Sequence, residues 1–423
     1  MKKTILRHSL NHVFYGGLAQ SVLDSIATGT LLTGYALLLG ANQFEVGILG
    51  AVPFIGNLIH IFVSWLLEKG YSVKRISVVS SFLARPFYLF AAALAFFAGA
   101  SWTVPALILF LTAAYCIGNI AGGAWRPWMK ELVPNAIMGR FFAHRFKYMM
   151  VAKIICFIIA YILLKYVKDM NASREIDAYA VLLFIAFMIG IYGAYTLTQV
   201  KDVSLSHRPN QPFFKKVLFS LKNKPFVQMM SALGSLNFAV NFITPFITVF
   251  MLNRLDIPMS TVVLLTLFSQ LVYTEIIKKM GRMADKAGPH ILLYSSIPAF
   301  IVSIAVFTVL NVNLSYSICM MGLMVAHLFW GIGTAGIELG TNNLSLLFVP
   351  KKASSIYLAV NSSGIALMGA LGSIIGGIFV TACEYWADKW GMPDASWYLF
   401  FGVSALLSVG SMIQFKRLRK SEE

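Results

Sequence analysis

Two residues of opposite charge, Asp24 and Lys153, lie inside long apolar stretches of this 423-residue chain. A charge in an apolar environment is costly, so such residues commonly bind a proton, an ion or a polar ligand. We predict that Asp24 binds a proton and that Lys153 is its partner. The alternatives are a structural carboxylate bonded to Ser21 and Ser25, and a lysine that binds an anionic or carbonyl group or extends toward the membrane surface.

Three further charged residues are candidates for ligand or structural contacts. Arg126, in the run AWRPWMKELVP, is suited to bidentate contact with a carboxylate or phosphate, and Trp125 can stack on a flat ligand. Its alternative is an interfacial tryptophan belt with a surface arginine. Glu338, in GIGTAGIELGTNN, is a second candidate for proton or substrate binding. For Arg85, which precedes a proline, we expect a structural pairing.

The segments that must position these residues are long and apolar. Hydrophobic residues make up 58% of the chain and charged residues 12%, with a mean hydropathy of +0.75, as is typical of a membrane protein. About 20 apolar residues cross the roughly 30 Å of hydrocarbon as a helix, and the alternating polarity of barrel strands is missing from these runs. The sequence therefore predicts an all-α membrane protein with twelve transmembrane helices, near residues 12–38, 45–67, 76–99, 103–127, 144–166, 176–199, 226–252, 260–279, 289–312, 315–340, 355–382 and 396–415.

Residues 281–290, GRMADKAGPH, lie between two of these apolar stretches. The pattern predicts a tight charged loop, in which glycines let two helices close and an aspartate caps a helix. The residues that form it are Gly281, Arg282, Asp285, Lys286 and Gly288. Their spacing resembles the motif G-x-x-x-D-(R/K)-x-G-(R/K)-(R/K), found between helices 2 and 3 and helices 8 and 9 of the major facilitator superfamily. A proline and a histidine replace the last two cations of that motif.

A degraded copy of the motif lies in the first half of the chain, in SWLLEKGYSVKR at 64–75. Glu68 and Gly70 occupy similar places, and Glu68 precedes Asp285 by 217 positions. The pair Val-Pro at 133–134 recurs 216 positions later. These offsets, near half the chain length, predict a duplicated six-helix unit. We therefore expect two pseudo-symmetric six-helix bundles, residues 1–200 and 226–423, joined by a cytoplasmic linker at 201–225.

The distribution of cations predicts the orientation in the membrane. With the first residue inside, 27 of the 34 lysines and arginines fall on the cytoplasmic side, which is a strong positive-inside asymmetry. We expect both termini in the cytoplasm and the chain in a bacterial inner membrane. The net charge of +17 then concerns topology and contact with anionic lipids, and no nucleic-acid partner is required. The basic start is a retained first helix, because no signal cleavage site follows it.

The resemblance implies roles for the loop residues. GRFF at 139–142, followed by an arginine, resembles the helix 4–5 loop of bacterial facilitators, which makes Arg140 a gating candidate together with the residues of the 281–290 and 64–75 motifs. The glycine-rich motif of drug antiporters, which belongs in helix 5, is missing there. That departure weakens any assignment to drug antiport.

Several function classes are disfavoured by the sequence. It holds no phosphate-binding loop for ATP, no soluble segment large enough for an enzyme site, and no His, Cys, Asp or Glu cluster with metal-ligand spacing. The four cysteines lie in or beside apolar spans and indicate neither a disulfide framework nor a metal cluster. We expect no enzyme activity, no cofactor and no metal.

The resemblance to the major facilitator superfamily implies a function. It predicts a monomeric secondary transporter that moves a small organic solute by alternating access, coupled to protons, with membrane lipids as its surroundings. The alternatives are a lipid or lysolipid flippase of the same fold, or a non-transporting assembly factor or receptor. Intramembrane charges argue against a scaffold, because each adds a desolvation cost.

Overall fold

The computed structural model describes residues 3–171, 174–203, 213–310, 314–348, 354–389, 391–392 and 395–420. These residues form α-helices, with a 3-10 turn at Leu94–Phe97 and a π-helical segment at Phe250–Arg254. The α-helices are α1 (Lys3–Ala27), α2 (Gly29–Leu38), α3 (Gln43–Leu58), α4 (His60–Glu68), α5 (Val73–Ala84), α6 (Pro86–Ala93), α7 (Thr103–Leu132), α8 (Asn135–Met170), α9 (Glu175–Thr198), α10 (Phe213–Ser220), α11 (Lys224–Val249), α12 (Met259–Ala287), α13 (His290–Val309), α14 (Tyr316–Leu347), α15 (Ser354–Lys389) and α16 (Ala395–Lys420).

Ten of the described helical segments are long and apolar enough to cross a membrane, and the bent pair α1–α2 makes an eleventh. The α3–α4 pair occupies the place of the remaining predicted span. It is interrupted at Ile59, so neither of its helices has the length of a span. The predicted all-α membrane architecture is confirmed for the described residues.

The first predicted span is broken, although the sequence suggested one continuous helix over 12–38. α1 and α2 meet at an angle of 40°. Thr28 has an extended backbone, and Gly29 follows it with φ +59°, a conformation that glycine adopts without strain. The Thr28 hydroxyl donates to the Asp24 carbonyl at 2.7 Å. The break therefore lies one helical turn after the intramembrane carboxylate.

The chain divides into two compact units. The first unit comprises residues 1–41 and 52–213, and the second comprises 42–51 and 214–423. In the first unit, α1 packs against α8 and α9, and α5 and α6 pack against α7 and α9. In the second, α11 packs against α15 and α16, and α13 against α14 and α16. Residues 42–51, the first part of α3, cluster with the second unit despite their place in the sequence.

The predicted loop at 281–290 is mostly helical. α12 continues through Ala287, and only Gly288 and Pro289 separate it from α13. Gly281, Arg282, Asp285 and Lys286 thus belong to the last turns of α12, where Asp285 does not cap α13. The intervening residues favour helix, so one glycine does not end it. Gly288, with φ +82°, ends it.

The predicted helix 4–5 loop is helical as well. α7 ends at Leu132 and α8 begins at Asn135, so Arg140 is an exposed residue in the second turn of α8. In the 64–75 motif, α4 ends at Glu68, whose side chain lies outside the described part of the structure, and Gly70 has φ +89°. Only the turns around Gly70 and Gly288 match the loops expected from the sequence.

Candidate functional site

A cavity of about 440 Å³ lies within the first unit. Its wall is formed by α1, α3, α5, α6, α7, α8 and α9, and it carries many polar side chains. The polar residues of the wall are Gln20, Asp24, Thr28, Asn57, Ser81, Arg85, Tyr88, Tyr115, Asn119 and Arg145. This composition suits a solute that forms several hydrogen bonds.

One face of α1 contributes a continuous strip of this wall. Val13, Gly17, Gln20 and Asp24 line the cavity, and their spacing of four, three and four residues places them on one side of a helix. Leu23, about a quarter-turn around α1 from this strip, is fully buried and packs toward Gly190 of α9, where an added Cβ would lie 2.7 Å from Leu23 Cδ1. The amphipathic pattern of α1 therefore positions Asp24 at the cavity.

Asp24 is the end of a hydrogen-bonded relay. Gln20 Nε2 donates to Asp24 Oδ1 at 2.8 Å, and Arg85 Nη2 donates to Gln20 Oε1 at 3.0 Å. An arginine can only donate, so the amide oxygen of Gln20 must face Arg85 and its amino group must face the carboxyl. The orientation of the Gln20 amide is thus determined by both neighbours.

Arg85 is held at the junction of α5 and α6. Pro86 follows it, and a proline that lacks an N–H interrupts the helical hydrogen bonds at this point. The Arg85 side chain is only 6% exposed, and its Nε has no hydrogen-bond partner within the described part of the chain. Gly190 of α9 leaves the space it occupies, since a Cβ there would lie 2.9 Å from Arg85 Cδ.

A second arginine, Arg145 of α8, occupies the part of the cavity nearer the start of α1. Its guanidinium lies 4.9 Å from the centre of the Trp125 ring, a distance typical of a cation–π contact. Its Nε donates to the Val13 carbonyl at 3.3 Å. Gly17 permits this approach, because a Cβ there would lie 2.6 Å from Arg145 Cζ. The predicted ligand contact Trp125 lines the cavity but already stacks on this arginine.

The predicted partners Asp24 and Lys153 lie on helices that pack together, α1 and α8. Ser21 Oγ donates to the Met149 carbonyl at 3.0 Å and joins the two helices one turn before Lys153. The positive charges of Arg85 and Lys153 both act on the Asp24 carboxyl. The contact through Gln20 was not foreseen, although the i, i+4 spacing of two polar residues in an apolar span signals it.

Two of the predicted ligand contacts lie elsewhere. Arg126 is an exposed residue near the end of α7 and is not part of the cavity wall in the described structure. Glu338 belongs to α14 of the second unit, where it is exposed and accepts a hydrogen bond from Tyr273 Oη at 2.8 Å. Sequence reasoning also missed Tyr88 and Tyr115, because aromatic residues are common in apolar spans. Tyr115 Oη donates to the Ala27 carbonyl beside the α1–α2 break at 3.1 Å.

Comparison with known proteins gives structural relatives. No family model matches the sequence, and no curated protein matches it. The fold is similar to that of a variant of the nucleoside transporter NupG, with a TM-score of 0.76 and 15% identity over 96% of this chain and 99% of the other. It is also similar to a bacterial homologue of the human lysosomal transporter Spinster, with a TM-score of 0.72 and 11% identity over 99% and 98%.

A third similar structure is a D-xylose–proton symporter, with a TM-score of 0.68 and 12% identity over 96% of this chain and 97% of the other. The sequence identities are low, so the likeness concerns the fold. Coverage of nearly the whole chain in each case excludes a match to one half alone. The chain is an integral membrane protein with the fold of the major facilitator superfamily.

Proposed function

We propose that this chain is a secondary active transporter that moves a small organic solute through the cavity of the first unit, driven by a proton gradient. The observation that carries the proposal is the carboxyl of Asp24 on the wall of a polar cavity inside a membrane-spanning fold. A buried carboxyl that can lose and regain a proton is a suitable coupling group. The fold likeness to solved transporters supports the same class of function.

The cavity has features that transport requires. Its amide, hydroxyl and guanidinium groups can replace the water lost by a polar solute. The break between α1 and α2 lies beside Asp24, and discontinuous helices commonly border transport sites. Alternating access would expose the cavity to each side of the membrane in turn, with Asp24 loading its proton on one side and releasing it on the other.

The lining argues for a polar solute over a lipid. A flippase needs an apolar surface for acyl chains, whereas this wall carries two arginines, an aspartate and several amides. A scaffold or receptor would gain nothing from burying Arg85 and Asp24 in the membrane, where each charge lowers stability. The second unit's Glu338 remains a candidate for a further contact.

Asp24→Asn tests the coupling. A panel of metabolites is first screened for ligands that raise the unfolding temperature of the purified protein, since a ligand stabilises the folded state. In proteoliposomes, Asp24→Asn should then abolish accumulation driven by a pH gradient, because asparagine mimics the protonated carboxyl permanently. Exchange of labelled for unlabelled solute should continue.

The matched control is Asp177→Asn. Asp177 is exposed and pairs with Arg174 at 3.1 Å at the start of α9, away from the cavity wall, so this change should leave accumulation intact. If Asp24→Asn accumulates the solute as the native protein does, Asp24 has a structural role and proton coupling through it is wrong.

We further infer a monomer with two six-helix bundles, residues 1–200 and 226–423, and both termini in the cytoplasm of a bacterial inner membrane. Twenty-seven of 34 cations support this topology. Lys222 is an exposed residue of the 201–225 linker. Lys222→Cys, in a chain without the four native cysteines, should react in intact cells only with a membrane-permeant thiol reagent. Reaction with an impermeant reagent would show that the linker lies outside the cell and that the predicted orientation is wrong.

A further inference from the structure

Arg85 is a buried cation whose described hydrogen-bond acceptor is a neutral amide. Its Nη2 donates to Gln20 Oε1 at 3.0 Å, and its Nε has no partner among the described residues. No carboxylate of the described chain lies within ion-pair distance of it. A buried arginine normally has an anionic partner, because an uncompensated charge is expensive to bury. The guanidinium group of Arg85 can therefore still bind an anion.

Gln20 is what separates Arg85 from Asp24. The amide accepts from the guanidinium and donates to the carboxyl, so it occupies the place where a direct ion pair would form. If the two charges met, the arginine fork would be taken by the aspartate in a bidentate contact. With Gln20 between them, both groups face the cavity.

The state of Asp24 sets the net charge of this relay. With an ionised carboxyl, the relay of Arg85, Gln20 and Asp24 is neutral overall. When Asp24 takes up a proton, the positive charge of Arg85 loses its counter-charge. An anion in the cavity is then favoured, and by linkage a bound anion favours protonation of Asp24 by the same factor.

The other groups around Asp24 do not supply a competing negative charge. Arg85 and Tyr88 approach from the α5–α6 junction, Tyr115 from α7 and Lys153 from α8. The wall of α9 contributes Gly190 and Gly193. Asp24 is the acidic residue of the described wall, which also contains Arg145. The protonated cavity is therefore cationic.

We propose that Arg85 binds the anionic group of the transported solute, and that Gln20 is a positioning residue that keeps this arginine from pairing with Asp24. The solute is thus an organic anion with a carboxylate or phosphate group, taken up together with a proton. This inference rests on the proposed transport function and specifies its substrate class.

The first experiment measures anion binding to the purified full-length protein. The probes are inorganic phosphate, lactate and succinate at constant ionic strength, with chloride as the reference. Calorimetry measures their binding. At least one oxyanion should bind, and the comparison of phosphate with the two carboxylates identifies the preferred group. Gln20→Glu keeps the side-chain shape but gives Arg85 a carboxylate, so it should weaken oxyanion binding at least about tenfold.

Gln199→Glu is the matched control. Gln199 directly follows α9 and donates to Thr198 Oγ1 outside the cavity wall, so the added negative charge should leave anion affinity unchanged. Arg85→Lys keeps the charge without the fork and should give an intermediate loss. If Gln20→Glu binds oxyanions as the native protein does, Arg85 is not the anion site.

Proton linkage provides a second readout. Calorimetry in two buffers of different ionisation enthalpy should show that oxyanion binding to the native protein takes up protons. Asp24→Asn should bind the anion at least as tightly as the native protein, without proton uptake. Unchanged proton uptake in Asp24→Asn would contradict the relay.

The two proposals fail in different ways. Accumulation of a neutral or cationic solute, with no binding of any of the three oxyanions, would overturn the anion inference and leave proton-driven transport standing. Oxyanion binding with no accumulation of the bound anion under a pH gradient would overturn the transport proposal and leave Arg85 as an anion site. Absence of both would overturn both.

Discussion

The two units contain cavities of similar size and opposite chemistry. The cavity of the first unit, about 440 Å³, is lined by amides, guanidinium groups and a carboxyl. A cavity of about 410 Å³ in the second unit is lined by apolar side chains, such as Phe379, Trp386 and Leu399, with one serine and one cysteine. The two cavities therefore differ in the hydrogen-bonding groups that they offer to a solute, and hardly in volume.

The repeat predicted from the sequence allows the two halves to be compared position by position. At the offset of 216 residues, the three members of the polar relay correspond to apolar residues of α11 and α13, namely Leu236, Val240 and Ile301. Leu236 is fully buried. Val240 and Ile301 are half-buried. The three positions line the cavity in the first half, whereas in the second half Leu236 belongs to the packed core.

Packing in the second unit relies on close contact between α11 and α15. A Cβ at Gly372 would lie 3.0 Å from Phe238 Cα, and one at Gly376 would lie 2.9 Å from Phe246 Cε2. Phe246 in turn stacks edge-on against Phe400 at 5.4 Å. Helices that approach this closely leave no cavity between them. The first unit instead uses Gly17 and Gly190 to make room for arginines.

Replacing the relay by its second-half counterparts should have the largest effect. The triple variant Gln20→Leu, Asp24→Val, Arg85→Ile removes the proposed coupling carboxyl and the proposed anion site together. Accumulation in proteoliposomes should fall to the level of empty liposomes. The unfolding temperature should not fall, because well-packed apolar residues replace a buried ionic network without loss of stability. A variant that still accumulates the solute would show that the polar cavity is not the transport site.

The reverse change tests the packing role of the second half. Leu236→Gln buries an amide in a packed apolar site and removes apolar contacts, which should destabilise the protein by about 2–4 kcal/mol. The matched change Leu218→Gln, on a 62% exposed side chain of α10 in the 201–225 linker, should cost much less. Denaturation in detergent measures both. Equal effects would mean that position 236 is not a packed position.

Close packing of α11 on α15 predicts a further loss of stability. Gly372→Ala places a methyl group against the Phe238 backbone, which should cost about 1–3 kcal/mol. The control Gly402→Ala, in α16, meets nothing within 4 Å and should be neutral or stabilising by up to about 1 kcal/mol. If the two variants unfold at the same temperature, the helices are less tightly packed than the structure has them.

The fold was largely predictable from the sequence, whereas the site was predictable only in part. Apolar windows located the helices, because hydrocarbon thickness sets span length. Asp24 was found because a charge in such a window is rare. Gln20 was overlooked, although its i, i+4 spacing to Asp24 signals their contact. The position of Arg85 depends on the Pro86 break and on the rotation of α5 relative to α1, which no spacing in one helix encodes. The rotation of α7, which likewise cannot be read from spacing, directs Trp125 and not Arg126 to this cavity.

The smallest expected effect distinguishes two glycines of the 281–290 motif. Gly288 has φ +82°, so Gly288→Ala should strain the turn after α12 and cost about 1 kcal/mol. Gly281 lies inside α12, and a Cβ there meets nothing within 4 Å, so Gly281→Ala should be neutral or stabilising by up to about 1 kcal/mol. Thermal unfolding of the two variants measures the difference. A larger loss of stability for Gly281→Ala than for Gly288→Ala would support the loop that the motif predicts at 281–290. It would also indicate that α12 ends earlier in the protein than in this structure, because only a non-helical backbone at position 281 would make the glycine necessary.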